Sequence, residues 1–262
     1  MLHVLVAVLV GLAVCQVAIL LTTVYLHRCL AHRSLTLAPG VVAVCRVLIW
    51  LTTGIRPRQW AAVHRKHHAF TDVEGDPHSP VLEGFWRVQL GNAVMYRRVA
   101  RDGETVQRYA RDIPADRWDQ LLFDHAVIGL GLGVAILVTA LGWRMALVAA
   151  AVHAYVYLAL NAAINAVGHR FGKAPYPNTA RNNQWLALLT AGEGHHNNHH
   201  AAPTSARLGF NPGELDPGWW LVRLLARRRW ARVRHSQPRL RQTGPAPAGP
   251  VAVGAPVEEP VA

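Results

Sequence analysis

Cysteine is scarce in this chain: three in 262 residues, Cys15, Cys29 and Cys45, with no CxxC pair among them. That excludes a disulfide framework and a zinc ribbon. Charge is scarce as well. Asp, Glu, Lys and Arg make up 16% of the residues, against roughly 25% in an average soluble domain. There is no His-Glu-x-x-His, so a zinc-protease reading fails. A single Glu-x-x-His stands in the chain, Glu193 to His196, where a ferritin-like bundle needs one on each of two helices. No glycine-rich fingerprint for a flavin or nicotinamide nucleotide is present.

What the chain does have is apolar sequence, 52% of the total. Three long stretches carry no charge: about 4–26, 126–141 and 145–167. A spanning helix needs about 20 apolar residues, so the first and third qualify, and the second does if Leu121–Phe123 join it. Spans are therefore expected at about 4–26, 121–141 and 145–167. The first stretch lacks a basic leader and is too long for a signal peptide. A shorter run, about 40–53, is interrupted by Arg46 and reads as an interfacial or re-entrant helix. Were it to cross the membrane, the histidines on its two sides could not meet.

The balance of +12 is unevenly placed. Residues 28–120 hold 14 Lys and Arg, residues 168–262 hold 12, and Arg144 stands alone between. The positive-inside rule then puts both basic regions, and every clustered histidine, in the cytoplasm. These charges flank apolar helices, so nucleic acid is not the expected partner. From Gln237 onward Pro, Ala, Gly and Val dominate. The expected organisation is a helical membrane domain over 1–236 and a disordered tail over 237–262.

Three histidine clusters stand out: His27 with His32, His64 with His67 and His68, and His196 with His199 and His200. Asn165 and His169 lie between the last two. The second and third clusters have spacing i, i+3, i+4, which shares one helical face. His27 and His32, at i, i+5, lie about 140° apart on an ideal helix, so that pair needs a helix end or a distortion to aim at one centre. Eight clustered imidazoles exceed one ion's needs and point to a two-metal site. Spacing does not choose the element, since imidazole suits Zn, Cu, Fe and Ni alike.

The stretches 25–34 (YLHRCLAHRS), 60–80 (WAAVHRKHHAFTDVEGDPHSP), 161–172 (NAAINAVGHRFG) and 182–200 (NNQWLALLTAGEGHHNNHH) resemble, in order, the integral-membrane fatty acid desaturases, specifically the bacterial relatives of the acyl-CoA, delta-9 branch. The resemblance implies an all-α membrane protein with a cytoplasmic helical cap over two iron ions. It implies ligands His27, His32, His64, His67, His68, His169, His196, His199 and His200, with Asn165 holding a metal-bound water. It implies O2 as co-substrate and a fatty acyl chain on CoA, acyl carrier protein or lipid. The electrons would come from an external acidic donor such as ferredoxin, rubredoxin or a cytochrome b5-like protein, with Arg97, Arg98, Arg101 and Arg227 to Arg229 able to dock it or to hold lipid headgroups. A bacterial cell membrane is the implied location. Desaturases of this branch usually have four spans, so one span is expected to be missing here.

His195 stands where relatives usually carry an aromatic residue, and His78 lies in the DPHSP loop. Both are candidates for a supporting position behind the ligands. Trp50, Trp60, Trp86 and Trp185 are candidate walls of an acyl tunnel, and Trp219 to Arg234 reads as one amphipathic basic helix. A hydroxylase on the same scaffold, or a non-enzymatic membrane metal-binding protein, remains as an alternative function. The second would need polar residues along the spans, and these offer little beyond His153 and Asn161.

Overall fold

The computed structural model describes residues 1–235 and Leu240. The tail expected over 237–262 lies outside the described residues but for Leu240. The chain is helical, with one small two-stranded sheet. Helix α1 (Leu2–Leu21) runs without a break into a π-helical segment, π1 (Thr22–Ala31), giving 30 continuous residues. Among the described residues, helix α7 (Trp143–Ala166) is the other single helix long and apolar enough to cross a membrane.

These two helices pack through small residues. Ala7, Gly11, Cys15 and Ala18 make a buried stripe on α1, and Ala146, Ala149, His153 and Tyr157 make one on α7. Small-xxx-small stripes let helix backbones approach closely. At Gly11 the approach leaves no room: a β-carbon there would stand 2.5 Å from the Ala149 carbonyl oxygen and 2.9 Å from Val152 Cβ. Gly11→Leu is accordingly expected to cost about 1–3 kcal/mol by overpacking, read as a lowered thermal midpoint of the purified protein in detergent.

Helix α6 (Ala126–Leu141) is shorter than expected. Its 16 residues reach about 24 Å, below the roughly 30 Å of a hydrocarbon core. Leu121–Phe123 do not extend it. They belong to a separate π turn, π2 (Asp119–Phe123), which Arg46 holds through ion pairs to Asp116 and Asp119 at 2.6 Å each. Asp124 and His125 then break the chain. Gly142 alone turns α6 into α7, and its φ of +77° suits a residue without a β-carbon.

The 40–53 run forms α2 (Pro39–Thr52), and α3 (Pro57–Phe70) leaves it at 87°. Proline opens both helices, where a missing N–H costs nothing. The corner is fastened from outside. His153 of α7 donates Nε2–H to the Thr52 carbonyl at 2.7 Å, and Trp50 donates to the His125 carbonyl at 3.0 Å. Helices α4 (Phe85–Ala100) and α5 (Gly103–Tyr109) follow, packed against α7 and α3 respectively.

The described residues that follow α7 close over its end. They carry α8 (Gln184–Leu189), α9 (His196–Ala201) and α10 (Pro217–Arg227). The amphipathic helix expected to Arg234 stops at Arg227. Arg229 takes a φ of +59°, and Ala231–Val233 become strand β2, antiparallel to β1 (Leu35–Leu37) with Leu35 opposite Val233. Pairing with β1 claims the backbone groups that a longer helix would have used.

Candidate metal centre

The nine clustered histidines come together in two adjoining groups. His27, His32, His64, His68 and His199 form one, and His67, His169, His196 and His200 form the other. Within each, the ligand atoms lie within 4.8 Å of one another. The groups touch where His68 stacks on His200, ring centres 4.4 Å apart. Each i, i+3, i+4 triplet is split between the two groups. His64 and His68 face the first and His67 the second, while His199 faces the first and His196 and His200 the second.

The i, i+5 pair is reconciled by π1. Its turns close from residue i to i+5, as in the 3.0 Å bond from His32 N to the His27 carbonyl. Residues five apart therefore stack, and the His27 and His32 rings stand 4.7 Å apart. Arg65, within the second cluster, donates to the Ala31 carbonyl at 2.8 Å and the Leu30 carbonyl at 2.7 Å. It thus satisfies the open end of π1 and ties the first cluster to α3.

Helix α9 has six residues, too few to be stable alone. Its asparagines hold it. Asn197 donates to the Tyr176 and Ala180 carbonyls at 3.0 and 2.9 Å, and Asn198 donates to the Leu208 carbonyl at 2.9 Å and to Glu214 at 2.8 Å. With the asparagines wired to the loops, the histidines of the same helix face the centre.

The Nε2 atoms converge: His27 to His199 at 3.0 Å, His199 to His68 at 2.8 Å, His32 to His64 at 2.7 Å, and His196 to His169 and to His200 at 3.1 and 3.2 Å. On the far side of three rings stand buried carboxylates. His169 Nδ1 lies 2.7 Å from Asp72, His67 Nδ1 3.0 Å from Asp76 and His27 Nδ1 2.7 Å from Glu193. The last contact is close but out of line for a hydrogen bond, so its effect is electrostatic, and Thr23 donates to the same carboxylate. A carboxylate at Nδ1 keeps the proton there and leaves the Nε2 lone pair toward the cluster, the usual arrangement behind a metal-bound imidazole.

Electrostatics agree. Burial first, then neighbouring imidazoles, pushes His32, His64, His68, His196, His199 and His200 well below the ordinary histidine value. They are neutral at pH 7, the form that binds metal. Burial would raise Asp72 and Asp76, but hydrogen bonds from His169 and His67 outweigh it and hold both carboxyls below their usual range. Nine imidazoles brought together, six of them held neutral by burial, suit divalent ions such as those of Fe, Zn, Cu or Ni.

Sequence reasoning missed the carboxylates. Asp72 and Asp76 sit in a loop legible only as a turn, and Glu193 is 170 residues from Thr23. Asp72 follows the end of α3 with a φ of +58°, a left-handed position that Asp tolerates better than most residues. There it accepts from Ser79 at 2.6 Å and from Thr179.

The other expected positions divide. His78 is buried beside His67, ring centres 4.9 Å apart, with neither ring nitrogen partnered, and burial pushes it down to about 3. His195 turns away: its Nε2 donates to the Leu215 carbonyl at 3.0 Å. Asn165 lies one turn before His169 and donates to Asn92 at 3.5 Å. Trp60 stacks on His64 at 4.9 Å. Trp50 is packed against Phe123, and Trp86 and Trp185 are 70% and 79% exposed. Those two do not wall an interior path, because α4 and α8 turn them outward.

The fatty acid desaturase family profile matches residues 2–244. The chain belongs to the fatty acid desaturase family. It is 32% identical over 207 residues to the sn-1 stearoyl-lipid 9-desaturase of Synechocystis, covering 78% of this chain and 64% of that protein. Identity to the acyl-CoA C20 Delta5-desaturase of Anemone leveillei is 34% over 209 residues, 78% of this chain and 65% of that one. Against Delta-9 acyl-lipid desaturase 2 of Arabidopsis thaliana it is 34% over 211 residues, 77% and 66%. This desaturase-family chain thus spans a little less than two thirds of the length of these relatives.

Behind the first cluster the desaturase-family chain buries an ion pair. Arg28 is 1% exposed and reaches Asp216 at 2.7 Å and the Ala206 carbonyl at 2.9 Å. Asp216 caps α10 by accepting from Trp219 N at 2.9 Å. Arg28→Met leaves Asp216 buried and unpaired, so the expected cost is about 3–5 kcal/mol, measured as loss of thermal stability.

Proposed function

We propose that this chain is an O2-dependent fatty acyl desaturase holding two iron ions. The net reaction joins a saturated acyl chain, O2, two electrons and two protons to give a cis double bond and two waters. The observation that carries the reading is the convergence of ring nitrogens from nine histidines in two adjoining groups, three of the rings backed by buried carboxylates. His27, His32, His64, His68 and His199 would hold one ion, and His67, His169, His196 and His200 the other, with Asn165 placing a water. When bound, iron supplies the O2 chemistry needed to take hydrogen from an unactivated methylene.

The chain's own residues do the rest. Asp72 and Asp76 would keep the protons of His169 and His67 on Nδ1, and Glu193 sets a negative charge beside His27. Trp60, flat against His64, gives the approaching acyl chain an apolar face. Below Thr22 and Thr23 the apolar cluster of Cys15, Ala18, Ile19 and Tyr157, with Ile55 and Leu160 around it, is packed, so an acyl tail on this side would have to part it. Orientation alone distinguishes chemically identical methylenes; relatives named for the ninth position favour delta-9, relatives named for the fifth are as similar, and the double-bond position of the product decides.

In the membrane, α1–π1 and α7 would cross, α6 would cross as a short span, and the α2–α3 corner would enter and return. The sharp corner lets His32 and His64 meet on one face, which the positive-inside bias makes cytoplasmic. Exposed Arg97, Arg98, Arg101 and Arg227 to Arg229 would receive an acidic electron donor. The test is expression in a desaturase-deficient host with fatty-acid profiling. New monounsaturated chains are expected. Chains that gain an oxygen in place of losing two hydrogens would make the protein a hydroxylase, and no new product would defeat the reading.

A further inference from the structure

The two histidine groups are backed unequally. In the four-histidine group, two of the rings have a buried carboxylate at Nδ1: Asp72 on His169 and Asp76 on His67, with side-chain exposures of 3% and 0%. In the five-histidine group, among the described residues, only His27 has one, Glu193. The nearby cations are already paired, Arg65 with Asp112 and Arg28 with Asp216.

An ion in the four-histidine position therefore faces two buried negative charges, and an ion in the five-histidine position faces one. Buried charges are weakly screened, and a hydrogen-bonded carboxylate makes its imidazole a stronger donor. Both effects stabilise the higher oxidation state. Resting on the ligand assignment above, we propose that Asp72 and Asp76 are positioning residues that make the four-histidine position the ferric one when the iron pair shares a single added electron. The step is balanced simply. A one-electron reductant would give its electron to the diferric protein, so that an ion held by the five-histidine group would become ferrous while one held by the four-histidine group would stay ferric. No bond forms or breaks.

The test uses the full chain in nanodiscs, loaded with 57Fe and reduced by one equivalent of dithionite-derived electrons. Mössbauer spectra resolve the two ferric–ferrous isomers. One isomer is expected to dominate. Asp72→Asn, which keeps the shape and removes the charge, should move the isomer ratio away from it by about tenfold or more. Asp76→Asn should do the same, and serves if Asp72→Asn loses iron. Glu193→Gln should move the ratio the opposite way or leave the same isomer dominant. Merely structural damage would lower iron content without this opposition of sign. Two equal isomers in the unmodified protein, or carboxylate variants that all move the ratio in one direction, would overturn the proposal. An unmodified chain that binds no iron would instead overturn the ligand assignment.

Discussion

His64→Ala and His199→Ala are each expected to leave the chain with one tightly held metal in place of two and with no detectable unsaturated product. Both rings belong to the five-histidine group, and both point Nε2 at neighbours, His32 at 2.7 Å for His64 and His68 at 2.8 Å for His199. Even a change behind a ligand typically costs about 10–100-fold in metal affinity or activity, so loss of the ligand itself should exceed that. Alanine also opens a space beside Trp60, which loses its stacking partner in the His64 variant. Metal content by elemental analysis and fatty-acid profiles from the expressing host check both expectations. His3→Ala, at the exposed start of α1, serves as the comparison and should change neither. Two metals retained by His64→Ala or His199→Ala would remove those residues from the ligand set.

How far the site could be read from sequence depends on how local its parts are. The triplets were legible because helical spacing is local: His64, His67 and His68 on α3 do share a face. Their division between two groups was not, since it depends on where π1 and α9 lie across from them. The His27–His32 pair could be recognised as requiring a distortion, but not which one. A π turn is selected by tertiary contacts such as Arg65 on the Leu30 and Ala31 carbonyls. The carboxylates were invisible for the same reason, as Asp72 meets His169 across 97 residues.

The fold followed a similar rule. Apolar length located α1 and α7 to within a few residues, and the interrupted 40–53 run became the α2–α3 corner. Length alone overran at Leu121–Phe123, where Arg46 pulls the segment into its own turn. It overran again at Arg228–Arg234, whose basic, aromatic pattern fits a helix until β1 offers a partner. In each case a contact from a distant part of the chain overrode a local preference.

Acidification is expected to empty the site and then to unfold the chain. His32, His64, His68, His196, His199 and His200 are all pushed well below the usual histidine value, chiefly by burial. Above about pH 6.5 they are neutral whether the chain is folded or not, and stability is flat. Below it the unfolded chain takes up protons that the folded chain refuses. Each such histidine then removes about 1.4 kcal/mol per pH unit until its lowered folded-state value is reached. Bound metal opposes this by holding the rings deprotonated, so metal loss should come first and the stability of the emptied protein should then fall steeply. Asp72 and Asp76 act in a separate window. Their folded values are depressed, so what they contribute is complete above about pH 3.9 and disappears only as the pH falls further. Metal content and thermal midpoint measured from pH 7.5 to 5 therefore isolate the histidines. A flat profile across that range would mean that the imidazoles do not gather in a dry, neutral cluster.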